Sequence, residues 1–152
     1  MTTRFPLAIV LLFSIIPGLS AAKAPTAQIT ITGPQLETPL NVTDAEVTSA
    51  HVWMGNFADW KSGAVSAPTE ESGRYFLHFW VRLKSDDIQL KYVLEYHWLN
   101  DEDRALICLP GRQNIWYSTN VYSILRTGQD GNCYYAEAEW GRAIRIVLSK
   151  AI

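Results

Sequence analysis

The sequence predicts an α+β fold in which an antiparallel meander sheet of about four to five strands packs against a short N-terminal helix and a C-terminal helix. Two observations support this class. Residues 74–110 contain three runs of β-branched and aromatic residues separated by polar turns, which is typical of consecutive antiparallel strands. Residues 137–152 place apolar side chains at helical spacing, which is typical of a helix that buries one face.

The N-terminus has the composition of a secretory signal peptide. A basic start at Arg4 is followed by an apolar stretch, residues 5–19, and then by small residues that suit a cleavage site. The stretch is shorter than the ~20 residues of a comfortable membrane span, although an uncleaved anchor is the alternative. The sequence therefore predicts that residues 1–22 are removed and that residues 23–152 form a single exported globular domain, periplasmic or secreted.

The mature region is slightly acidic. Removal of Arg4 leaves 12 of the 13 Lys and Arg residues against 15 Asp and Glu, a formal charge of about −3. A nucleic-acid-binding surface requires clustered Lys and Arg, so nucleic acid is not predicted as a partner. No later apolar run is long enough to span a membrane. The expected partner is a protein, a peptide or a small molecule.

The elements outside the meander are predicted to be short. Residues 28–32 alternate and stop at a Gly-Pro pair, which predicts a first strand at the edge of the sheet. Residues 35–42 are predicted to be an extended connector. Thr43 or Asp44 is a candidate N-cap for a short helix that begins at Ala45. Later in the chain, short strands are expected at residues 115–117 and at residues 133–135, and a helical face at Val121, Ile124 and Leu125.

The two long runs are predicted to pair as a hairpin with two different faces. Side chains alternate between the faces of a strand, so the apolar set that includes Tyr75 and Tyr92 faces the core. A turn centred on Asp86-Asp87 then places His78 opposite Glu95 and Phe76 opposite His97. The second face gathers a polar and aromatic set: Phe76, His78, Trp80, Glu95 and His97.

Two imidazoles and a carboxylate on one sheet face are suitable ligands for Zn²⁺, or suitable groups for acid/base chemistry. The simpler alternative is an ordinary cross-strand His–Glu pair, which contributes only ~0.2–1 kcal/mol. The chain has no His-Glu-x-x-His and no Gly-x-Ser-x-Gly motif. No catalytic residue and no cofactor is therefore predicted. A metal-dependent or acid/base hydrolase using His78, Glu95 and His97 is kept as an alternative function.

Aromatic residues provide the main evidence for binding. Trp and Tyr form stacking platforms for sugars or peptides, although they more often pack in a core. Trp80 on the second face and Trp116-Tyr117 after the Pro110-Gly111 turn are the candidates for exposure. The sequence therefore predicts a non-enzymatic binding domain. Its candidate binding residues are Trp80, His78, Glu95, His97, Trp116 and Tyr117.

Cys108 and Cys133 are the two cysteines of the chain. An even cysteine count in an exported chain favours a disulfide, with two free buried thiols as the alternative. A bridge would close a loop of about 25 residues and stabilise the fold by roughly 3–4 kcal/mol. The chain has no Cys-x-x-Cys spacing of the kind that binds metals.

Two sets of residues carry a resemblance to other proteins. The first is Ile31-Thr-Gly-Pro-Gln-Leu36 together with Val42-Thr-Asp44. The second consists of Leu109-Pro-Gly111, Trp116-Tyr117, Asn120, Ile124, Arg126, Gly128, Gly131, Tyr135-Ala136 and Trp140. Together they resemble a family of small exported bacterial proteins of uncharacterised function. The resemblance implies export and a single domain, and it implies no activity and no site residue.

Overall fold

A computed structural model describes residues 24–69, 73–99, 104–120 and 129–152. The predicted signal peptide at residues 1–22 lies outside these ranges, as do Val121, Ile124 and Leu125 of the predicted helical face. Among the described residues, none of the helices combines the length and the apolar character needed to cross a membrane.

The fold is α+β, with a six-stranded antiparallel sheet and a C-terminal helix. The strands lie in the spatial order β2-β1-β3-β4-β5-β6. The strands are β1 (Thr26–Thr32), β2 (Leu40–Val42), β3 (Arg74–Arg82), β4 (Ile88–His97), β5 (Leu106–Cys108) and β6 (Cys133–Tyr135). The helices are α1 (Ala45–Thr48), α2 (Tyr117–Asn120) and α3 (Ala138–Ser149), and a 3₁₀ turn spans Trp60–Ser62.

The prediction of four to five strands is wrong because of β2. The segment expected to be a connector turns back after Gly33 and adds Leu40–Val42 to the sheet, with Ile29 opposite Val42 and Ile31 opposite Leu40. Pro39 stands just before this strand, a position where a missing N–H costs no ladder hydrogen bond. The prediction that β1 is an edge strand is wrong for the same reason, since β1 lies between β2 and β3.

The helix expected from Ala45 is a single turn, Ala45–Thr48, and the side chain of Asp44 caps it by accepting from the Glu46 N–H. The C-terminal helix α3 begins after Glu137, whose carboxylate accepts from the Trp140 N–H at 2.9 Å. Its apolar stripe is buried on the sheet, as the helical spacing predicts. The buried side chains of this stripe are Trp140, Ile144 and Leu148.

The core lies on one face of the sheet. The alternation predicted for β3 is confirmed, because Tyr75, Leu77, Phe79 and Val81 are all fully buried. Phe57 packs over this face, with ring centroids 5.7 Å from Phe79, 5.7 Å from Tyr92 and 6.1 Å from Trp140. The segment around Phe57 and helix α3 therefore cover the core face. The opposite side of the sheet, here called the second face, carries the candidate functional residues.

The predicted pairing of the β3–β4 hairpin is wrong by two residues. Phe76 lies opposite Glu95, and His78 lies opposite Val93 rather than Glu95. His97 lies opposite Arg74 rather than Phe76. A slip of two residues preserves which face each side chain occupies, because the side-chain period of a strand is two. The predicted faces therefore hold near Glu95, whereas the predicted neighbours do not.

The hairpin loop explains the difference. Leu83 N–H donates to the Asp87 carbonyl at 2.8 Å, so the loop consists of residues 84–86 rather than a two-residue turn. Asp86 has a φ of 61°, the left-handed conformation that commonly ends a three-residue hairpin loop. A β-bulge follows, since the pairing steps from Phe79–Tyr92 to Trp80–Leu90.

Candidate functional site

The candidate binding residues form two groups on the second face. His78 and Trp80 lie on β3, with Trp116 packed against His78. Glu95 and His97 lie on β4 and border a cleft with Arg74. Tyr117 begins α2 directly after Trp116 and is half-buried.

The first group, here called the aromatic strip, consists of His78, Trp80 and Trp116. Trp80 Nε1 donates to Thr30 Oγ1 at 3.0 Å, and His78 Nε2 lies 3.3 Å from Thr32 Oγ1. The rings of His78 and Trp116 meet edge to face, with their centroids 5.1 Å apart. Burial lowers the pKa of His78, because it disfavours the charged imidazole. Trp80 Nε1 and His78 Nε2 thus contact β1 rather than Glu95.

The second group lies at the base of a cleft of about 420 Å³, here called the β4 cleft. Arg74, Glu95 and His97 supply its charged and polar base, and Asn114 lies beside Glu95. One wall contains the Cys108–Cys133 disulfide. The volume lies within the range of ~300–1,000 Å³ typical of small-molecule sites.

The strand register places these groups together. Arg74 and His97 are directly opposed across β3 and β4, and Glu95 lies two residues before His97 on the same face. On the other side of β4, Cys108 of β5 is opposite Glu95. Cys133 of β6 is in turn opposite Cys108. Four neighbouring strands thus contribute side chains to the cleft: Arg74 from β3, Glu95 and His97 from β4, Cys108 from β5 and Cys133 from β6.

Glu95 is surrounded by hydrogen-bond donors. Arg74 Nη2 donates to Oε1 at 2.9 Å, and Asn114 Nδ2 donates to the same oxygen at 3.3 Å. His97 Nε2 lies 3.4 Å from Oε2. Burial raises the pKa of the Glu95 carboxyl, but the adjacent His97 and Arg74 lower it more, so the pKa lies below its ordinary value. Glu95 is therefore a carboxylate at neutral pH.

His97 places an imidazole with unused hydrogen-bonding capacity at the base of the cleft. The residue is 6% exposed, and neither ring nitrogen makes a hydrogen bond within the described chain. The 3.4 Å separation between His97 Nε2 and Glu95 Oε2 is too long for a well-formed N–H···O hydrogen bond. Buried polar side chains nearly always have a partner, so this exception marks a candidate for ligand contact.

The predicted disulfide is confirmed. Cys108 and Cys133 are bridged, with a Cα–Cα distance of 4.0 Å, and they occupy directly opposed positions on β5 and β6. Their side chains are buried and border the β4 cleft. The bridge therefore fixes the relative position of two three-residue strands that form one side of the cleft.

The structure gives limited support to a metal centre. Within residues 24–69, 73–99, 104–120 and 129–152, no group of three or more His, Cys, Asp or Glu side chains is arranged to hold a metal ion. The pairing that was expected to bring His78 onto Glu95 does not form, because His78 lies opposite Val93. Glu95 and His97 remain adjacent without His78.

Sequence reasoning missed Arg74 and Asn114. With the observed register, Arg74 would have been found from its position opposite His97. Asn114 had no comparable signal, because it lies in the turn before α2 and reaches Glu95 only through the path of that segment.

A larger groove of about 620 Å³ borders α1 and α3 and carries carboxylates. Glu137 in this groove is already used as the N-cap of α3. The described residues that line the groove include no buried side-chain atom without a hydrogen-bond partner. The β4 cleft is therefore the better candidate, although it is smaller.

Comparisons with known proteins add no assignment: no protein-family model, no curated protein and no solved structure matches this chain.

Proposed function

We propose that this chain is an exported, non-enzymatic binding domain that takes a small polar molecule into the β4 cleft. The observation that carries the proposal is the buried imidazole of His97, which lies at the base of a concave site without a hydrogen-bond partner in the described chain. Concave sites with a few convergent polar groups are the usual geometry for binding small molecules.

Export is supported by two independent features. The composition of residues 1–22 is that of a signal peptide. The Cys108–Cys133 disulfide is of the kind that persists in oxidising compartments. The resemblance to small exported bacterial proteins is in line with these features but supplies no ligand.

Binding is favoured over catalysis because the cleft lacks an activated nucleophile among its described lining residues. Both cysteines of the chain are in the disulfide and hold no reactive thiol. Thr69 is the one hydroxyl side chain in the described lining, and no hydrogen bond joins it to His97. Such a bond is the geometry by which a base activates a nucleophile.

An acid/base enzyme is the second candidate function. The contact between Glu95 Oε2 and His97 Nε2 favours it, because a carboxylate beside an imidazole can orient the ring for general-base catalysis. His78 has no part in this version, since it belongs to the aromatic strip. Hydrolysis of model esters or peptides that is abolished by His97→Gln would support this candidate over simple binding.

The proposed function is tested with the protein exported from the full-length chain. A thermal-shift screen of small polar molecules identifies ligands, and calorimetry then measures their affinity for the wild type and two matched variants. Asn114→Ala removes an amide beside Glu95 in the cleft, whereas Asn41→Ala removes an exposed amide on β2 that bonds Thr30. We expect Asn114→Ala to weaken binding about tenfold, because it removes one hydrogen bond that orients Glu95 in the cleft, and Asn41→Ala to leave binding unchanged.

The opposite result would place the ligand on the aromatic strip instead of in the β4 cleft. If Trp80→Ala abolishes binding while Asn114→Ala has no effect, the ligand is held on the strip and the β4 cleft is not the site. If no compound in the screen changes the thermal midpoint of the wild type, the small-molecule proposal fails.

A further inference from the structure

We infer that His97 Nδ1 is a hydrogen-bond acceptor for the ligand of the β4 cleft, and that the cleft selects a neutral ligand carrying an amide N–H or a hydroxyl donor. This inference rests on the proposed function and specifies the chemical class of its ligand. It follows from the arrangement of three side chains: Arg74, Glu95 and His97.

The contact with Glu95 determines which nitrogen of the His97 imidazole carries the hydrogen. A neutral imidazole has one N–H, and an ionised carboxylate can only accept hydrogen bonds. Glu95 Oε2 faces His97 Nε2 at 3.4 Å. If Nε2 carried the lone pair, two acceptors would face each other, whereas a hydrogen on Nε2 makes the contact attractive. The carboxylate therefore selects the Nε2–H tautomer, and the lone pair resides on Nδ1.

Neighbouring donors hold Glu95 in the position and the ionised form that set the tautomer of His97. Its other oxygen accepts from Arg74 at 2.9 Å and from Asn114 at 3.3 Å. These donors hold the carboxyl group in place and favour its ionised form. Glu95 thus acts as a positioning residue that sets the tautomer of His97, and Arg74 and Asn114 orient Glu95.

The charges of the cleft favour a neutral ligand. Among the described residues that line the cleft, Arg74 and Glu95 carry the fixed charges, and they form an ion pair whose opposite charges largely cancel. A cationic ligand would be attracted by Glu95 and repelled by Arg74, and an anionic ligand the reverse, so neither gains a large net attraction from this partly buried pair. Either ion would lose hydration without gaining an unopposed counter-charge. A neutral donor avoids this cost.

The cleft offers hydrogen-bonding groups rather than aromatic surfaces to a ligand. No Trp, Tyr or Phe is among the described residues that line the cleft, so stacking contributes little there. The aromatic strip, which could support stacking, lies over β1 and β3. Recognition in the cleft therefore relies on hydrogen bonds. A small amide and a small polyol share the required donor chemistry.

The test is nitrogen NMR on the exported protein labelled with ¹⁵N-histidine, at alkaline pH where a free imidazole is neutral. We expect the His97 spectrum to show the Nε2–H tautomer. Acetamide and glycerol, as neutral donors, should shift the His97 Nδ1 resonance, whereas acetate and methylammonium should not. The resonances of His51 and His78 are internal controls, since neither residue lines the cleft. A response to acetamide alone assigns the donor as an amide N–H, and a response to glycerol alone assigns a hydroxyl.

A variant pair gives an independent readout. His97→Phe retains an aromatic ring and removes the acceptor, so the affinity for the responding probe should fall roughly tenfold, as expected for one hydrogen bond. His78→Phe makes the same substitution on the aromatic strip and should leave the affinity unchanged. Circular dichroism of both variants checks that they fold.

The outcomes separate the inference from the proposed function. An Nδ1–H tautomer, or a response to the charged probes only, overturns the inference. Ligand binding that depends on Asn114 but leaves the His97 Nδ1 resonance unchanged also overturns it, while the cleft remains a binding site. If no ligand is found whose binding depends on Asn114, both the inference about His97 and the proposed function of the cleft are overturned.

Discussion

The side-chain amide of Asn120 forms two hydrogen bonds with the backbone of Val93. Its Oδ1 accepts from the Val93 N–H at 2.8 Å, and its Nδ2 donates to the Val93 carbonyl at 2.5 Å. Continuing the β4–β5 register beyond Glu95–Cys108 would place Pro110 opposite Val93. Proline has no N–H to donate, so the strand pairing cannot continue there. Asn120 supplies the missing donor and acceptor and holds α2 against β4.

We predict that Asn120→Ala destabilises the fold by about 2–4 kcal/mol, because it leaves a buried N–H and a buried carbonyl of Val93 without partners. Urea unfolding would measure the change in the free energy of unfolding. The control is Asn41→Ala, an exposed amide on β2, which should cost less than about 1 kcal/mol. Equal effects of the two substitutions would show that Asn120 has no special role.

Two buried tyrosines of β4 differ in one hydrogen bond. Tyr96 Oη donates to the Gly141 carbonyl at 3.0 Å, whereas Tyr92 Oη has no hydrogen-bond partner among the described residues. Burial raises the pKa of both hydroxyls.

We predict opposite effects for the matched substitutions. Tyr96→Phe should cost about 1 kcal/mol, because it leaves the Gly141 carbonyl without this donor. Tyr92→Phe should be neutral or stabilising by up to about 1 kcal/mol, because it removes a buried hydroxyl that is unsatisfied. Thermal unfolding of the two variants measures the difference. A larger loss for Tyr92→Phe than for Tyr96→Phe would contradict this prediction.

The disulfide should contribute strongly because β5 and β6 are only three residues long each. A sequence separation of 25 residues corresponds to roughly 3–4 kcal/mol of stabilisation in the chain-entropy model. We predict that the double variant Cys108→Ala/Cys133→Ala loses about this amount, as measured by urea unfolding. Wild-type protein in excess dithiothreitol should approach the stability of the double variant. If dithiothreitol also changes the stability of the double variant, the reductant acts on something other than this disulfide.

The imidazole of His78 should make stability depend on pH. Burial lowers its pKa in the folded protein, so the unfolded chain binds the proton more readily. The unfolded value is about 6.5, and the free energy of unfolding should therefore fall as the pH drops below about 6.5. The fall ends once the pH is below the folded pKa as well.

Urea unfolding at a pH of about 7.5 and of about 5.5 tests this prediction. The loss of stability between the two conditions should be smaller in His78→Gln than in the wild type. Asn41→Ala is the control, because it changes the same sheet face without removing a titratable group. An unchanged loss in His78→Gln would show that other groups account for the pH dependence.

The sequence identified much of the fold because its strongest patterns are local. The alternation of residues such as Leu77 and Phe79 fixed the buried face of β3, and the apolar stripe of α3 fixed the buried face of that helix. The disulfide could be predicted because Cys108 and Cys133 have no competing partner. These features depend on residue type and on spacing within one segment.

The same local patterns predicted only part of the candidate site. Glu95 and His97 were recognised as residues of one face, and they do lie together at the cleft. Arg74 was missed because its position opposite His97 depends on a register that the alternating pattern cannot distinguish from the expected one. Asn120 was missed because a single asparagine carries no signal that it will replace a strand partner.

What the sequence by itself determined is therefore the face occupied by the residues of β3 and by Glu95 and His97, the amphipathic helix α3 and the choice of cysteine partners. What only the tertiary structure decided is which residues on a face become neighbours. The physical reason is that a slip of two residues leaves every side chain on its original face, so the hydrophobic effect does not penalise it strongly. The three-residue hairpin loop with its left-handed Asp86 and the β-bulge between Phe79 and Trp80 together set the register, and with it the contact between Arg74 and Glu95.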